Sequence, residues 1–158
     1  MKNFLTSFII VCIVISACKS SKVVATPNTI DLVTLNNYFP KIELPLADTF
    51  NHFVISDSTA FTNQFGVAKT TTNTIDTINF STKIILAIQG KATTQKTIII
   101  FDKAELIGKE LNVYYKTSFA ETMSSTMIPA AVATIPKGYD IDNVNFYRNK
   151  VKVFTIPI

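Results

Sequence analysis

The sequence predicts a mainly β (α+β) protein: an antiparallel, β-rich sandwich or barrel-like domain with one short helix after the first strand. Three observations carry that expectation. Two apolar runs, Lys83-Ile84-Ile85-Leu86-Ala87-Ile88 and Thr97-Ile98-Ile99-Ile100-Phe101, are short, rich in β-branched residues and bounded by polar or glycine-containing segments, which suits buried strands better than helices of ten or more residues. Further short segments alternate apolar and polar residues, as half-buried strands do. No internal repeat, heptad or glycine-rich phosphate loop interrupts this pattern.

Residues 1–17 read as an export signal, with Lys2 as the one early charge, an apolar run from Phe8 to Ile15, and small residues before Cys18. The run is shorter than the roughly 20 residues that span a bilayer. Ile15-Ser16-Ala17-Cys18 resembles the lipobox of bacterial lipoproteins, which makes Cys18 the expected lipid attachment site and the membrane an expected partner. Lys19 follows the cysteine where an aspartate would signal retention, and no acidic cluster comes after it. The resulting expectation is an outer-membrane lipoprotein of a Gram-negative cell envelope, facing the periplasm. Residues 18–35 are expected to be a lipidated tether, and residues 36–158 a single domain.

Cys12 leaves with the signal and Cys18 serves as anchor, so no cysteine remains for a disulfide or a thiolate metal site. A remaining chain of roughly 140 residues is long enough to fold on its core alone. The formal charge of +4 is small and its lysines are scattered, which argues against nucleic acid as a partner.

Within the domain, Phe50-Asn51-His52-Phe53-Val54-Ile55 reads as the first strand. Ser56-Asp57-Ser58 then offers an N-cap for a short helix from about Ser58 to Phe65, with Phe61 and Phe65 four residues apart on one face and Gly66 at its end. Residues 69–79 read as an exposed connection rich in threonine and asparagine. The two apolar runs are expected to pair as a central hairpin, joined by a flexible loop over residues 89–96. Beyond Phe101 the chain turns at Gly108, and Leu111-Asn112-Val113-Tyr114-Tyr115-Lys116 alternates as a half-buried strand. Residues 118–127 read as a second long loop. Ala130-Ala131-Val132-Ala133-Thr134-Ile135 is a further apolar strand, and a closing hairpin joins Val144-Asn145-Phe146-Tyr147 to Val151-Lys152-Val153-Phe154 through a turn at Arg148-Asn149.

The order of these elements resembles the C-terminal domain of the protease complex subunit PrcB family, small exported bacterial domains. The residues carrying the resemblance are Val54-Ile55-Ser56, Phe61 and Phe65, Asn79-Phe80-Ser81, Gln89-Gly90, Leu111-Asn112-Val113-Tyr114-Tyr115, Ile128-Pro129, Ile135-Pro136-Lys137 and Val144-Asn145-Phe146, spanning residues 52–146. Family members commonly have Pro-Thr-Gly-Gly-Tyr after the central strand, where this chain has Ala92-Thr93-Thr94-Gln95-Lys96. The resemblance implies a non-catalytic subunit that associates with an exported protease.

No constellation for catalysis stands out. The one histidine, His52, sits in an apolar strand and would need a serine and an acid brought to it by folding, while Asp57 and Ser58 are better used as caps. Asp140 and Asp142 lack the spaced oxygen ligands of a calcium loop. No cofactor and no metal is therefore expected. The expected function is a non-catalytic, lipid-anchored domain that binds or stabilises another exported protein, with Gln89, Lys91, Lys96, Met123 and Met127 in the two loops as candidate contacts. Outward-facing tyrosines among Tyr114, Tyr115 and Tyr147 are further contact points. The alternative is a small-ligand or cell-wall-binding periplasmic lipoprotein.

Overall fold

The computed structural model describes residues 25–45, 49–69, 71–72 and 74–158. The export signal, Cys18 and residues 18–24 lie outside the described residues. In chain order the elements are β1 (Asn28–Ile30), β2 (Val33–Leu35), β3 (Tyr38–Pro40), β4 (Phe50–Ile55), α1 (Ser58–Gln64), β5 (Phe65–Val67), β6 (Lys83–Gly90), β7 (Thr93–Ile107), β8 (Glu110–Met127), β9 (Ala130–Pro136), β10 (Asn143–Arg148) and β11 (Val151–Pro157).

They assemble in three layers. A five-stranded sheet of order β1-β7-β8-β10-β11 packs on a four-stranded sheet of order β2-β9-β6-β4, and the pair β3-β5 with α1 covers the far side of the second sheet. The middle layer is thus buried on both faces. In β6, Ile84, Leu86 and Ile88 point into the core between the sheets, whereas Ile85 and Ala87 point into the core beneath α1. In β9, Ala131, Ala133 and Ile135 face the first core, and Ala130 and Val132 the second. Burial on both sides explains why these two strands are continuous apolar runs instead of alternating ones. Each leucine or isoleucine so buried contributes about 1.5 to 3 kcal/mol relative to exposure.

The expected central hairpin is corrected by this arrangement. β6 and β7 do not pair with each other; they are consecutive lengths of one arm, in different sheets. β6 pairs with β9 and β7 with β8, so residues 83–107 and 110–136 form a single long hairpin. Its base lies in the four-stranded sheet and its far half in the five-stranded one. The tip is a tight turn at Gly108 and Lys109, with Gly108 at φ +61°, a conformation that glycine adopts without steric cost. The segments expected as loops, 89–96 and 118–127, are mostly strand within this hairpin. Ladder hydrogen bonds hold them, not core burial, which is why they carry no apolar period.

Three other expectations change. β1 and β2 fall inside the segment expected to be a tether: Ile30 is buried in the first core and pairs with Ala104, so the folded domain begins before residue 36. The helix follows the fourth strand, not the first, because β1 to β3 are only three residues long and give no periodic signal. The closing hairpin turns at Asn149 and Lys150, both with positive φ (49° and 74°), in the mirror-image geometry that matches the twist of two-residue hairpins. β10 also pairs with β8 in parallel, the one such pairing among the described ladders; all others are antiparallel.

The helix itself forms as its sequence suggests. Asp57 is the N-cap, its Oδ1 accepting from the Ala60 N–H at 2.8 Å, and Phe61 is buried and stacks on Phe65 with ring centroids 5.2 Å apart. Gly66 does not end the helix in a left-handed turn. The chain passes directly into β5, and Gly66 leaves room for the Phe39 ring, whose Cζ would lie 2.7 Å from an added Cβ.

Candidate functional site

The middle of the long hairpin, residues 93–100 against 116–127, crosses from one sheet to the other. Strands that switch sheets need irregularities to turn the ladder, and the register supplies them. Thr93 pairs with Met127, Gln95 with Thr122 and Thr97 with Phe119, so β8 carries extra residues at two places. A further bulge at Asp102 sits between the pairs Phe101–Tyr115 and Lys103–Tyr114. The bend that results is bordered by open edges. β1 covers the outer edge of β7 only at Ala104–Leu106, and β10 covers β8 only at residues 110–115. Among the described residues, no strand pairs with the remaining lengths of either edge.

Large apolar side chains concentrate on this bend. Ile98, Ile100, Phe119 and Met127 are 38%, 57%, 61% and 45% exposed, four of the eleven exposed large apolar residues described. Thr97-Ile98-Ile99-Ile100-Phe101 is therefore not the fully buried strand its composition suggests. Phe101 is buried and Ile99 packs partly on the core, while Ile98 and Ile100 face solvent. Charges flank the apolar residues: Lys96 pairs with Glu121 at 3.2 Å and Lys116 with Asp102 at 3.1 Å.

The candidate contact residues separate into two groups. Lys96, Met123 and Met127 come together on the bend, the two supposed loops being its two strands. Lys91 lies at the turn between β6 and β7 beside an open groove of about 540 Å³ lined by Glu43, Leu44 and Pro45, where the Ala92 N–H donates to Glu43 Oε1 at 3.0 Å. Gln89 is corrected: it is 1% exposed within β6, and its Nε2 donates to the Ile42 carbonyl at 2.8 Å. A polar side chain so buried is occupied by the fold and does not meet a partner. Phe119, Ile98 and Ile100 were missed by sequence reasoning. An exposed isoleucine and a buried one look alike in a β-branched run; only the pairing partner tells them apart.

The outer face of the five-stranded sheet carries a second set of groups. Tyr114 and Tyr147 stack with centroids 4.8 Å apart, and Lys103 Nζ lies 4.8 Å from the Tyr114 ring centroid. Burial, with the Glu105 and Tyr147 neighbours adding to it, holds the Tyr114 hydroxyl above its usual pKa. Beside this stack, at the Asp102 bulge, is an open groove of about 530 Å³ also lined by Lys116, Asn149 and Lys150. Further along the sheet, Glu110 accepts from the Asn143 and Asn145 amides at 2.8 Å each, and Asn145 is linked to Asn112 and Thr155. Tyr115 points the other way, into the core, where its hydroxyl and His52 Nε2 are 2.9 Å apart.

His52 is enclosed by aromatic rings: it stacks on Phe154 at 5.2 Å and tilts against Phe146 at 4.8 Å. This position ties β4 to the opposite sheet. Asp57 is engaged as the helix cap, and Asp140 and Asp142 pair with Lys109 at 2.9 and 3.6 Å. Among the described residues no group of three or more histidine, cysteine, aspartate or glutamate side chains is placed to hold a metal ion, and no helix is long and apolar enough to cross a membrane. Comparison of the chain with protein-family models, with curated proteins and with solved structures gives no match.

Proposed function

We propose that this is a non-catalytic domain, held at the periplasmic side of the outer membrane by lipid on Cys18, that binds another exported protein through the bend of its long hairpin. The observation that supports the reading is the bend itself, an edge-exposed ribbon carrying Phe119, Met123 and Met127 on β8. Open strand edges offer unpaired backbone donors and acceptors to an extended segment of a partner, and exposed apolar side chains beside them supply buried area on contact. An exported protease, the partner class implied by the resemblance to the PrcB family, is the proposed target.

In-cell cross-linking of the tagged protein tests this. The wild-type chain is expected to recover a recurring exported protein, and a Phe119→Asp/Met127→Asp variant to lose it with an unchanged circular dichroism spectrum. Undiminished recovery by that variant would falsify the assignment of the bend. Anchoring has its own check: Cys18→Ser is expected to release the protein from membranes and abolish acyl labelling.

A second reading, a domain for a small ligand or a cell-wall fragment, draws on the groove of about 530 Å³ beside Tyr114. Lys150→Glu in that groove is expected to weaken such a ligand and leave recovery of a protein partner on the bend unchanged.

A further inference from the structure

We propose that the outer edge of β7 pairs with the same edge of a second copy of this chain, in antiparallel register about Ile99. Among the described residues the open part of that edge starts where β7 leaves the turn at residues 91–92 and stops where β1 takes over at Ala104. Within it the sequence runs Lys96-Thr97-Ile98-Ile99-Ile100-Phe101-Asp102. Lys96, Ile98 and Ile100 share the outward face, since side chains alternate along a strand. Asp102 joins them there through the bulge, where it meets Lys116, the residue opposite Ile100.

This order is self-complementary. In an antiparallel pair centred on Ile99, Lys96 of each copy lies opposite Asp102 of the other, and Ile98 opposite Ile100. The two exposed isoleucines of each copy thus cover each other, and two pairs of opposite charge close the ends. Moving the register by two residues sets Lys96 against Ile100 and leaves Asp102 with Lys116 of its own chain but no lysine from the other copy. A two-fold interface requires such a self-matching surface, and directly opposed charged and apolar pairs are what stabilise adjacent strands. The pairing extends from Gln95 to Lys103 in each copy and runs one continuous sheet through both. It uses the β7 edge, and so leaves Phe119, Met123 and Met127 on β8 to the partner proposed above.

The decisive measurement is the mass of the full chain in detergent micelles, by sedimentation with correction for bound detergent, across a charge-swap series. The wild type is expected to be a dimer. Lys96→Asp is expected to weaken association by about tenfold or more, because it places two carboxylates opposite each other at both ends. The fourfold variant Lys96→Asp/Asp102→Lys/Lys116→Asp/Glu121→Lys is expected to recover the dimer, since it reverses the pairs between the copies together with the Lys96–Glu121 and Lys116–Asp102 pairs within each chain. Ile100→Lys, a change at a solvent-facing position, is expected to give a monomer that keeps the wild-type circular dichroism spectrum, with a slightly lowered melting temperature because the new lysine lies opposite Lys116 of its own chain. A monomeric wild type, or a dimer indifferent to Lys96→Asp and to Ile100→Lys, overturns the proposal, as does a fourfold variant no more associated than Lys96→Asp alone. Recovery of an exported partner by the monomeric Ile100→Lys variant separates failure of this inference from failure of the partner assignment.

Discussion

Glu110 on the outer face of the five-stranded sheet, and His52 reaching its inner face from β4 of the other sheet, show how single polar side chains are used. On the outer face, the amides of Asn143 and then Asn145 hold the Glu110 carboxyl below its usual pKa. A carboxyl whose pKa is depressed by folding contributes stability that is fully present above the unfolded value, near 4.3, and is lost as the pH falls through the folded value. Replacing Glu110 by glutamine is therefore expected to flatten the acid limb of the stability curve, as read from urea melts at a series of pH values. These contacts also join β8 to β10, and so support the parallel pairing at Glu110–Asn143 and Asn112–Asn145. On the inner face, Tyr115→Phe removes the hydroxyl that meets His52 and is expected to cost about 1 to 2 kcal/mol in chemical denaturation.

At the level of elements, the turn at Asn149 and Lys150 carries a correctable cost. A lysine at φ +74° occupies left-handed backbone that glycine adopts freely, so Lys150→Gly is expected to stabilise the closing hairpin by about 0.5 to 1 kcal/mol, seen as a raised melting temperature. At Gly66 the constraint is contact, not conformation: an added Cβ would meet the Cζ end of the Phe39 ring, which is 45% exposed, so Gly66→Ala is expected to displace that ring and to change the melting temperature little. Elements whose burial leaves a mark in the sequence were legible in advance: β4, β6 and β9 by their apolar runs, α1 by Asp57 and the Phe61–Phe65 spacing, β10 and β11 by alternation around a turn. The bend was not. Thr93-Thr94-Gln95-Lys96 and the stretch from Ser118 to Met127 are polar because water reaches both their faces, and periodicity reports burial, not backbone pairing. The same segments were nonetheless singled out as contact regions. Their polarity marked them as surface, and the structure adds that they lie side by side.

For the molecule as a whole, the middle sheet is the common wall of two cores, so damage there should be felt on both sides. Leu86→Ala is expected to cost about 2 to 5 kcal/mol and to lower the melting temperature in a single transition. The pairing is also strongly non-local, since β1 meets β7, β4 meets β6 only after α1 and β5 have intervened in the chain, and β9 returns to β6 after the whole hairpin. Long closures of this kind slow folding.

The short ladder between β1 and β7 has a mechanical consequence. β1 runs antiparallel to β7, with Asn28 opposite Leu106 near the hairpin tip and Ile30 opposite Ala104 nearer the bend. A pull on the chain preceding Asn28, resisted by a partner gripping the bend, acts along both strands in opposite directions. Its bonds are then loaded together, in shear, instead of being peeled one after another. The ladder would thus resist tension best along the line on which the proposed anchor and the proposed partner would apply it.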